Sequence, residues 1–471
     1  MTKIFLKILS CGIMIAAFGC EQESKGVSKV TISSALEDNA EPSSCNYNEE
    51  TIAYGTPVTR TMFEAEAVNY GGTCVSEEQT GICQGGEISW SGSYTYADCS
   101  VATFSLITAG TQTTCALDSL GAAFCWGLNT LGYVGDGSFD NRLEPTAVAG
   151  GHIFTYLEGG SFHNCGLTAE GIAYCWGENQ FGQLGDGTTE NRNQPVAVAG
   201  DHRFTALSPG YSHTCGLKSD GSAYCWGQNS FENLFTRTGF GALGDGTTED
   251  KLVPSPVIGG HTFVAIQALL NSSCGLTQTG VAYCWGANYN GKLGTSLVAN
   301  QDSINEPVLV EAGPLRFASI SAFLDNVCGL DADGAAYCWG VNVLGELGIA
   351  REDLTMSAAP NPVIGGLEYA SLDVGGRGAC GVTEFGAAYC WGSAFEGRLG
   401  NGTFSQDLQS DLDRFAPTLI EGDHNFISIT TNEFHTCALK DDGSAYCWGA
   451  GGQGRIGDGT SQDRSQATKV K

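Results

Sequence analysis

The sequence predicts an all-β protein whose bulk, residues 103–471, is a seven-bladed β-propeller of four-stranded blades, preceded by a small disulfide-rich module. One motif recurs seven times beyond residue 103, and its first cysteine advances by 50 to 59 residues from copy to copy. That period is typical of propeller blades. Each copy holds four short strand-like segments separated by Gly and Pro, with no helical apolar stripe. The 67 glycines, about twice the ordinary share, indicate many tight turns.

The N-terminal residues have the features of an export signal. Two lysines precede the apolar run Ile8 to Phe18, which is too short to span a bilayer as a helix. The ending Ala17-Phe18-Gly19-Cys20 resembles a bacterial lipoprotein cleavage box, in which the cysteine after a small residue is lipidated. We therefore expect residues 1–19 to be a signal peptide, Cys20 to be lipidated, and polar residues 20–44 to form a lipid-anchored flexible tether. The protein would be anchored in the outer membrane or at the cell surface, and plain secretion is the alternative.

Charge and cysteine content restrict the setting further. A net charge of −29 repels nucleic acid and anionic lipid surfaces, so no nucleic-acid partner is expected. Solubility explains this acidity, and cation binding is the other interpretation. Twenty cysteines are typical of an oxidising compartment.

Residues 45–102 are predicted to form a small cysteine-rich module, which resembles modules of bacterial surface proteins. A core of this size usually needs disulfides, and we expect two of them among its four cysteines, in a pairing that the sequence leaves open. A zinc site is the alternative, but no histidine accompanies the cysteines and their spacings do not fit. The four cysteines are Cys45, Cys74, Cys83 and Cys99.

The repeated motif reads Cys-(Ala/Gly)-(Leu/Val), a short turn, and Ala-(Tyr/Phe)-Cys-Trp-Gly. In the last copy the loop Asp441-Asp442-Gly443 closes a hairpin with Lys440 facing Ser444, and counting back places Cys437 opposite Cys447. A cross-strand disulfide fits that position. The expected pairs are Cys115 with Cys125, Cys165 with Cys175, Cys215 with Cys225, Cys274 with Cys284, Cys328 with Cys338, Cys380 with Cys390, and Cys437 with Cys447.

Strand alternation places Tyr446 and Trp448 on one face of the sheet and Ala445 and Cys447 on the other. The aromatic face of one blade should therefore pack on the disulfide face of its neighbour, with ligand stacking as the alternative role of the tryptophans. These are Trp126, Trp176, Trp226, Trp285, Trp339, Trp391 and Trp448.

Two sets of polar residues recur in the units and could bind metal. Aspartates in Gly-Asp-Gly turns are expected to bond neighbouring backbone amides; calcium is the alternative, but the evenly spaced carboxylates of a calcium loop are missing. Histidines two residues before the first cysteine suggest a local hydrogen bond, since equivalent positions lie too far apart to share a metal. The residues are Asp136, Asp186, Asp245 and Asp458, and His163, His213 and His435.

The combined pattern Gly-x-x-His-Thr-Cys-(Ala/Gly)-Leu, Asp-Gly, Ala-Tyr-Cys-Trp-Gly, Asn-x-x-Gly-x-Leu-Gly and Pro-Val-x-Val is similar to RCC1 repeats. The resemblance implies a seven-bladed propeller in which strands from the two chain ends combine to close the ring. Gln466 to Val470 would be the final outer strand, and Phe104 to Leu106 the first inner one. The family's eponymous activity is nucleotide exchange on a nuclear GTPase together with chromatin binding, which export, disulfides and acidity contradict. Other secreted RCC1-like propellers, including one that inhibits β-lactamase, bind proteins through a rim face.

We therefore expect a cell-envelope scaffold that binds proteins or acts in adhesion through loops of one propeller face. Asn229 to Gly246 is nine residues longer than its counterpart Asn179 to Gly187, although such insertions are also tolerated as surface variation. Other long loops are predicted at Ser296 to Pro307, Ala350 to Pro362 and Thr403 to Pro417. The candidate binding residues are Phe231, Glu232, Phe235, Arg237 and Phe240.

Two other functions are alternatives. A glycan-processing or glycan-binding propeller would be sialidase-like, but the tryptophan here lies five residues after the turn glycine, two more than an Asp-box has. A regulator that acts like a guanine-nucleotide exchange factor is the third hypothesis. No known catalytic motif appears, so we predict no catalytic residue, metal or cofactor, and a monomer whose partner is a protein or a surface glycan.

Overall fold

The computed structural model describes residues 45–48, 50–52, 57–84, 87–97, 99–230, 239–296, 303–350, 353–422 and 425–471. The chain divides into two compact units, of which the first extends to Val68 and includes Gly72–Val101, and the second comprises Asn69–Gly71 and Ala102–Lys471. The predicted signal peptide, Cys20 and the tether lie outside the described residues. Within these ranges no helix combines the length and apolar character needed to cross a bilayer.

The first unit is a small β module. Its strands form an antiparallel three-stranded sheet, an antiparallel pair and a parallel pair. A disulfide joins Cys74 to Cys99, and the fully buried Cys83 is also disulfide-bonded. The Arg60 guanidinium lies 4.1 Å above the ring of Trp90. The strands are Cys45–Tyr47, Glu50–Ile52, Pro57–Phe63, Ala67–Val68, Ser76–Gln84, Glu87–Trp90 and Ser100–Val101.

The second unit is the predicted propeller, built of seven antiparallel four-stranded sheets. The strands of units one to four are Phe104–Ala109, Thr113–Asp118, Ala123–Gly127 and Arg142–Ala147; Tyr156–Gly159, His163–Leu167, Ala173–Gly177 and Arg192–Ala197; Phe204–Pro209, His213–Lys218, Ala223–Gly227 and Lys251–Pro256; Phe263–Ala268, Ser272–Thr277, Ala282–Ala287 and Ser303–Leu309. Those of units five to seven are Ser319–Phe323, Asn326–Leu330, Ala336–Val341 and Met356–Pro362; Tyr369–Gly375, Gly378–Thr383, Ala388–Gly392 and Arg414–Leu419; Phe426–Thr431, His435–Lys440, Ala445–Gly449 and Arg464–Lys469. Short 3-10 turns occur at Tyr289–Gly291 and Gly452–Gly454.

The central hairpin of each blade forms as the residue count predicts. In unit seven the Lys440 N–H donates to the Ser444 carbonyl at 3.0 Å, and Gly443 has φ +77°, a left-handed conformation that glycine adopts without strain. Cys437 pairs directly with Cys447. All seven such pairs form disulfides with Cα atoms 4.1 to 4.2 Å apart, the close spacing of a pair without backbone hydrogen bonds.

Neighbouring blades are joined by tryptophan, as predicted. Trp226 packs against the Cys165–Cys175 disulfide of the preceding unit, and its Nε1 donates to the Gln183 carbonyl at 3.0 Å. The other six tryptophans repeat both contacts. None of the seven is more than 1% exposed, so they are core residues and cannot stack on a ligand.

The ring closes differently from the expectation that strands from the two chain ends combine. Each blade consists of four consecutive strands, because the repeats begin and end on complete blades. The first and last blades meet through side chains: Trp126 packs on the Cys437–Cys447 disulfide, and its Nε1 donates to the Arg455 carbonyl at 3.0 Å. The predicted positions of the first inner strand and the last outer strand were right.

Candidate functional site

One edge of every blade carries the connections from the first to the second strand and from the third to the fourth, because successive strands are antiparallel. We call the surface formed by these connections the loop face. The third-to-fourth connection spans 178–191 in unit two, 228–250 in unit three and 393–413 in unit six. The long loops of units three and six therefore begin on the same face.

Two other predicted long loops are partly strand. Ser303–Leu309 takes up the last five residues of Ser296–Pro307, and Met356–Pro362 takes up the last seven of Ala350–Pro362. Residues 297–302, 351 and 352 of these segments lie outside the described residues. The unit-five connection, 342–355, is as long as 178–191 in unit two. These outer strands escaped detection because Asn, Ala, Glu and Pro give a weak strand signal.

Of the five predicted binding residues of unit three, the structure describes one. Phe231, Glu232, Phe235 and Arg237 lie outside the described residues. Phe240 is only 5% exposed and belongs to a small apolar cluster with Ala242 and Ala287. It therefore contributes to packing, and its proposed role in a surface loop is corrected.

On the loop face of units one to three, Tyr133, Phe162 and Tyr211 form an aromatic cluster. The ring of Phe162 meets that of Tyr211 edge-on at 4.9 Å and that of Tyr133 at 6.2 Å. Phe162 and Tyr211 are half-buried, whereas Tyr133 is buried. Burial, and to a smaller degree the charge of Glu178, raises the pKa of Tyr133, so its phenol stays protonated.

On the loop face of units six and seven, Arg377, Arg398 and Arg455 form an arginine cluster. Arg398 donates from Nη1 to the Glu433 carbonyl at 2.5 Å, while its Nη2 has no hydrogen-bond partner among the described residues and lies 4.0 Å from the Glu396 carboxylate. Burial, followed by the charge of Arg377, lowers the pKa of Arg398 to about 10. Arg398 and Arg455 are 7% and 8% exposed, and the carboxylates of Glu396 and Glu433 act on the pKa of both. The cluster is therefore largely buried and accompanied by acidic groups.

A pocket of about 530 Å³ opens on the loop face between units five and six. Its apolar wall includes Val343 and Leu408, which are 46% and 48% exposed. Its polar wall contains Asp325, Glu346 and Arg377. The Asp325 carboxylate accepts from the buried Lys292 Nζ at 2.8 Å, and burial raises the pKa of Glu346, whose Oε2 accepts from the Leu344 N–H.

A smaller cavity of about 250 Å³ is lined by first strands of six units. Glu158 and Asp373 face it, and burial together with the Asp373 charge raises the pKa of Glu158 to about 7. The Tyr156 hydroxyl donates to Glu158 at 3.0 Å, and Asp373 accepts from the Ser321 hydroxyl at 2.6 Å. Each carboxylate thus has partners within the fold.

The repeated histidines make bonds between blades, although a local bond was expected. His163 Nε2 lies 2.7 Å from the Thr214 hydroxyl of the next unit. That hydroxyl gives its proton to the Gln183 carbonyl at 2.7 Å, so the histidine is the donor. His213 pairs with Ser273, and His435 with Thr114, in the same way.

The Gly-Asp-Gly aspartates form the expected turns. Asp186 Oδ1 accepts from the Thr188 N–H at 2.9 Å, and its Oδ2 accepts from Arg192 Nε at 2.9 Å. Asp136, Asp245 and Asp458 make the corresponding amide bonds. Over the described ranges, no group of three or more His, Cys, Asp or Glu side chains could hold a metal ion.

Sequence reasoning missed the arginine cluster and the pocket. The sequence did contain a usable pattern, at the variable position x of the repeated Gly-x-Leu-Gly motif, in which Val or Ile replaces Leu in some units. In units four to seven this position, called the slot below, holds Lys292, Glu346, Arg398 and Arg455. In units one to three the same slot holds Tyr133, Gln183 and Ala242. Comparing this slot across units would have located the charged half of the face.

Comparisons with known proteins agree with the repeat pattern. Two family models, both described as Regulator of chromosome condensation (RCC1) repeat, match the chain; their residues are 170–217 and 386–439 for one, and 155–183, 204–232 and 426–455 for the other. The ultraviolet-B receptor UVR8 of Arabidopsis thaliana is 32% identical over 238 residues, covering 49% of this chain and 52% of UVR8. The E3 ubiquitin-protein ligase HERC2 of Homo sapiens is 30% identical over 197 residues, covering 41% of this chain and 4% of HERC2. The chain thus spans about half of the first relative and a small part of the second.

Solved structures show the same fold. Prp20p of Saccharomyces cerevisiae has a TM-score of 0.65 at 20% identity, covering 74% of this chain and 85% of Prp20p. Human WBSCR16 has a TM-score of 0.64 at 18% identity, covering 74% of this chain and 94% of that one. With the matched repeats and the seven blades, these similarities identify residues 102–471 as an RCC1-like repeat β-propeller.

Proposed function

We propose that this chain is a non-enzymatic protein-binding scaffold of the cell envelope, exported and lipid-anchored through Cys20, which binds its partner through the loop face. The observation that carries the proposal is the composition of that face. The aromatic cluster lies on the part of it formed by units one to three, and the arginine cluster on the part formed by units six and seven. Tyr, Phe and Arg are the residues enriched at the centres of protein interfaces.

Relatives of the same fold support a protein partner. Prp20p of Saccharomyces cerevisiae has binding properties to Gsp1p and histones, and yeast RCC1 (Prp20) has been crystallised with Kap60 bound. These partners belong to those proteins, and the acidity of this chain disfavours any partner that relies on an acidic surface of its own. What we carry over is the use of the propeller as a binding platform.

The disulfides support the proposed location. All fourteen cysteines of the propeller are at most 4% exposed and paired within their own hairpin. Such bonds form and persist in oxidising compartments. Metabolic labelling with a clickable palmitate analogue should label the intact chain and leave Cys20→Ala unlabelled. Equal labelling of both, or an unlabelled intact chain, would contradict the anchor.

Site-specific photo-crosslinking tests the binding face. A benzophenone amino acid would replace Tyr211 on the loop face in the full chain, expressed in its own cell envelope. The control places it at Phe385, which is 90% exposed in a second-to-third strand turn on the opposite face. A discrete protein adduct from position 211 and none from 385 is expected. Adducts of equal yield from both positions, or none from either, would count against the proposal.

A further inference from the structure

The pocket between units five and six has a preformed apolar wall. Leu324 holds a left-handed conformation, φ +46°, which is uncommon for a residue other than glycine. It lies over Gly376, where any added Cβ would come within 2.8 Å of the Leu324 side chain. With Val343 and Leu408 it forms an apolar surface that is open to solvent. The volume, about 530 Å³, is in the range of ligand sites.

One cation in the pocket has no contact partner among the described residues. Asp325 is neutralised by Lys292 at 2.8 Å, and Glu346 is engaged by the Leu344 amide at 2.7 Å. Arg377 lines the pocket, and within the described part of the chain its guanidinium forms no hydrogen bond or contact ion pair, while its charge acts at longer range on Glu346 and Glu396. A planar guanidinium recognises a carboxylate through two parallel hydrogen bonds. The site thus offers an apolar surface next to a carboxylate receptor.

The unit-six connection that supplies Leu408 exposes two further apolar side chains. On that connection Phe404 is 42% exposed and Leu412 is 36% exposed. A small carboxylate would fill the pocket and leave these side chains in water, whereas an extended peptide could cover them. The surrounding face is also the one proposed above to bind protein. These observations favour a segment of a partner protein over a metabolite.

We infer that the unit-five/six pocket binds a partner segment in which a bulky apolar side chain stands next to an aspartate or glutamate. The apolar side chain packs on Leu324, Val343 and Leu408, and the carboxylate pairs with Arg377. This inference rests on the proposed function and names the chemistry that the partner must present.

Peptide display on the full, oxidised chain tests the inference. Random seven-residue peptides are selected on the intact chain, and the strongest is synthesised with a fluorophore and titrated by anisotropy. We expect acidic residues next to Leu, Phe, Met or Trp among the selected peptides. Arg377→Gln should weaken binding about tenfold, as loss of a charged hydrogen-bonded pair does. Arg203→Gln, an exposed arginine in the 198–203 connection on the opposite face, should leave affinity within about twofold, since no pocket contact is lost.

Three results would overturn the inference: selected peptides without an acidic residue, equal binding by Arg377→Gln, or no selected peptide at all. If no peptide is selected while 4-methylpentanoate binds the intact chain in ligand-observed NMR and not Arg377→Gln, the pocket is a small-carboxylate site. The crosslink from position 211 separates the two proposals. If it forms in the Arg377→Gln chain while the pocket test fails, the scaffold function stands and only the pocket assignment falls.

Discussion

Each tryptophan of the repeat donates a hydrogen bond to a backbone carbonyl of the preceding unit. In some blades that carbonyl also accepts a second hydrogen bond, and in others it does not. Replacing the tryptophan by phenylalanine should therefore lower the free energy of unfolding by different amounts in different blades. The Gln183 carbonyl accepts from Trp226 Nε1 at 3.0 Å and from the Thr214 hydroxyl at 2.7 Å. The Glu346 carbonyl accepts from Trp391 Nε1 at 3.0 Å, and the residue at the threonine's position is Ala379. Among the described residues no other hydrogen bond to the Glu346 carbonyl is found.

Trp226→Phe and Trp391→Phe remove the same ring volume from sites that are at most 1% exposed. Their packing losses should therefore be similar, about 1 to 3 kcal/mol each. Only Trp391→Phe leaves a buried carbonyl without a partner, which costs a further 1 to 3 kcal/mol or so. We expect Trp391→Phe to lower the free energy of unfolding by at least about 1 kcal/mol more than Trp226→Phe does.

Urea unfolding followed by far-ultraviolet circular dichroism without reductant measures both variants, and avoids the fluorescence change that the substitutions cause. A double-mutant cycle supplies the control. Thr214→Ala combined with Trp226→Phe leaves the Gln183 carbonyl bare, so the pair should cost more than the sum of the single changes by about 1 kcal/mol. If the two tryptophan variants lost equal free energy of unfolding and the double-mutant cycle were additive, this account of the contacts between blades would be refuted.

Three further outcomes are expected. Burial lowers the pKa of His163 to about 3. Between pH 6.5 and 3 only the unfolded chain binds the proton, so the contribution of neutral His163 to the free energy of unfolding is fully present above pH 6.5 and is lost as the pH falls toward 3. His163→Gln should flatten this dependence by about 1.4 kcal/mol per pH unit in urea titrations at pH 6.5 to 4, and an unchanged slope would contradict it. Burial and the charge of Asp373 raise the pKa of Glu158 to about 7, so the folded chain holds its proton more tightly than the unfolded chain and pays for the charged form at pH 8. Glu158→Gln should therefore raise the melting temperature at pH 8 and have little effect at pH 5. A larger effect at pH 5 than at pH 8 would refute the assignment. Replacing Cys215 and Cys225 together by alanine should lower the free energy of unfolding by about 2 kcal/mol, since each bond closes a loop of ten residues, and a cost near zero in urea titration would contradict it.

The repeated hairpin was predictable because its geometry is local. Gly443 and the Lys440–Ser444 pair fix the register, and every contact of Cys437 with Cys447 follows from counting. The packing of Trp448 on the disulfide of the preceding unit followed from strand alternation alone. Local hairpin geometry and strand alternation were therefore enough to predict both the blade and the packing between blades.

The loop face was harder to predict because it assembles residues that are far apart in the chain. The pocket joins Leu324, Val343 and Leu408 across two units, and no sequence period connects them. Ring closure was also mispredicted. A blade shared by the two chain ends and a blade of four consecutive strands differ only in which strand the terminal strand pairs with, and the sequence does not show that pairing. Phe240 resembled an exposed loop aromatic because its burial depends on Ala287 of the next unit.

The covalent bridges and the closure of the ring have different consequences for assembly. Each propeller disulfide lies within one hairpin, and none crosses from one blade to another. Oxidation can therefore proceed blade by blade as the chain emerges, with the correct cysteine always the nearest one along the chain. The circle is completed by Trp126 on the last blade and by Thr114 with His435. Closing the ring thus forms no covalent bond, and the junction between first and last blades can separate and re-form with every sulfur bridge intact.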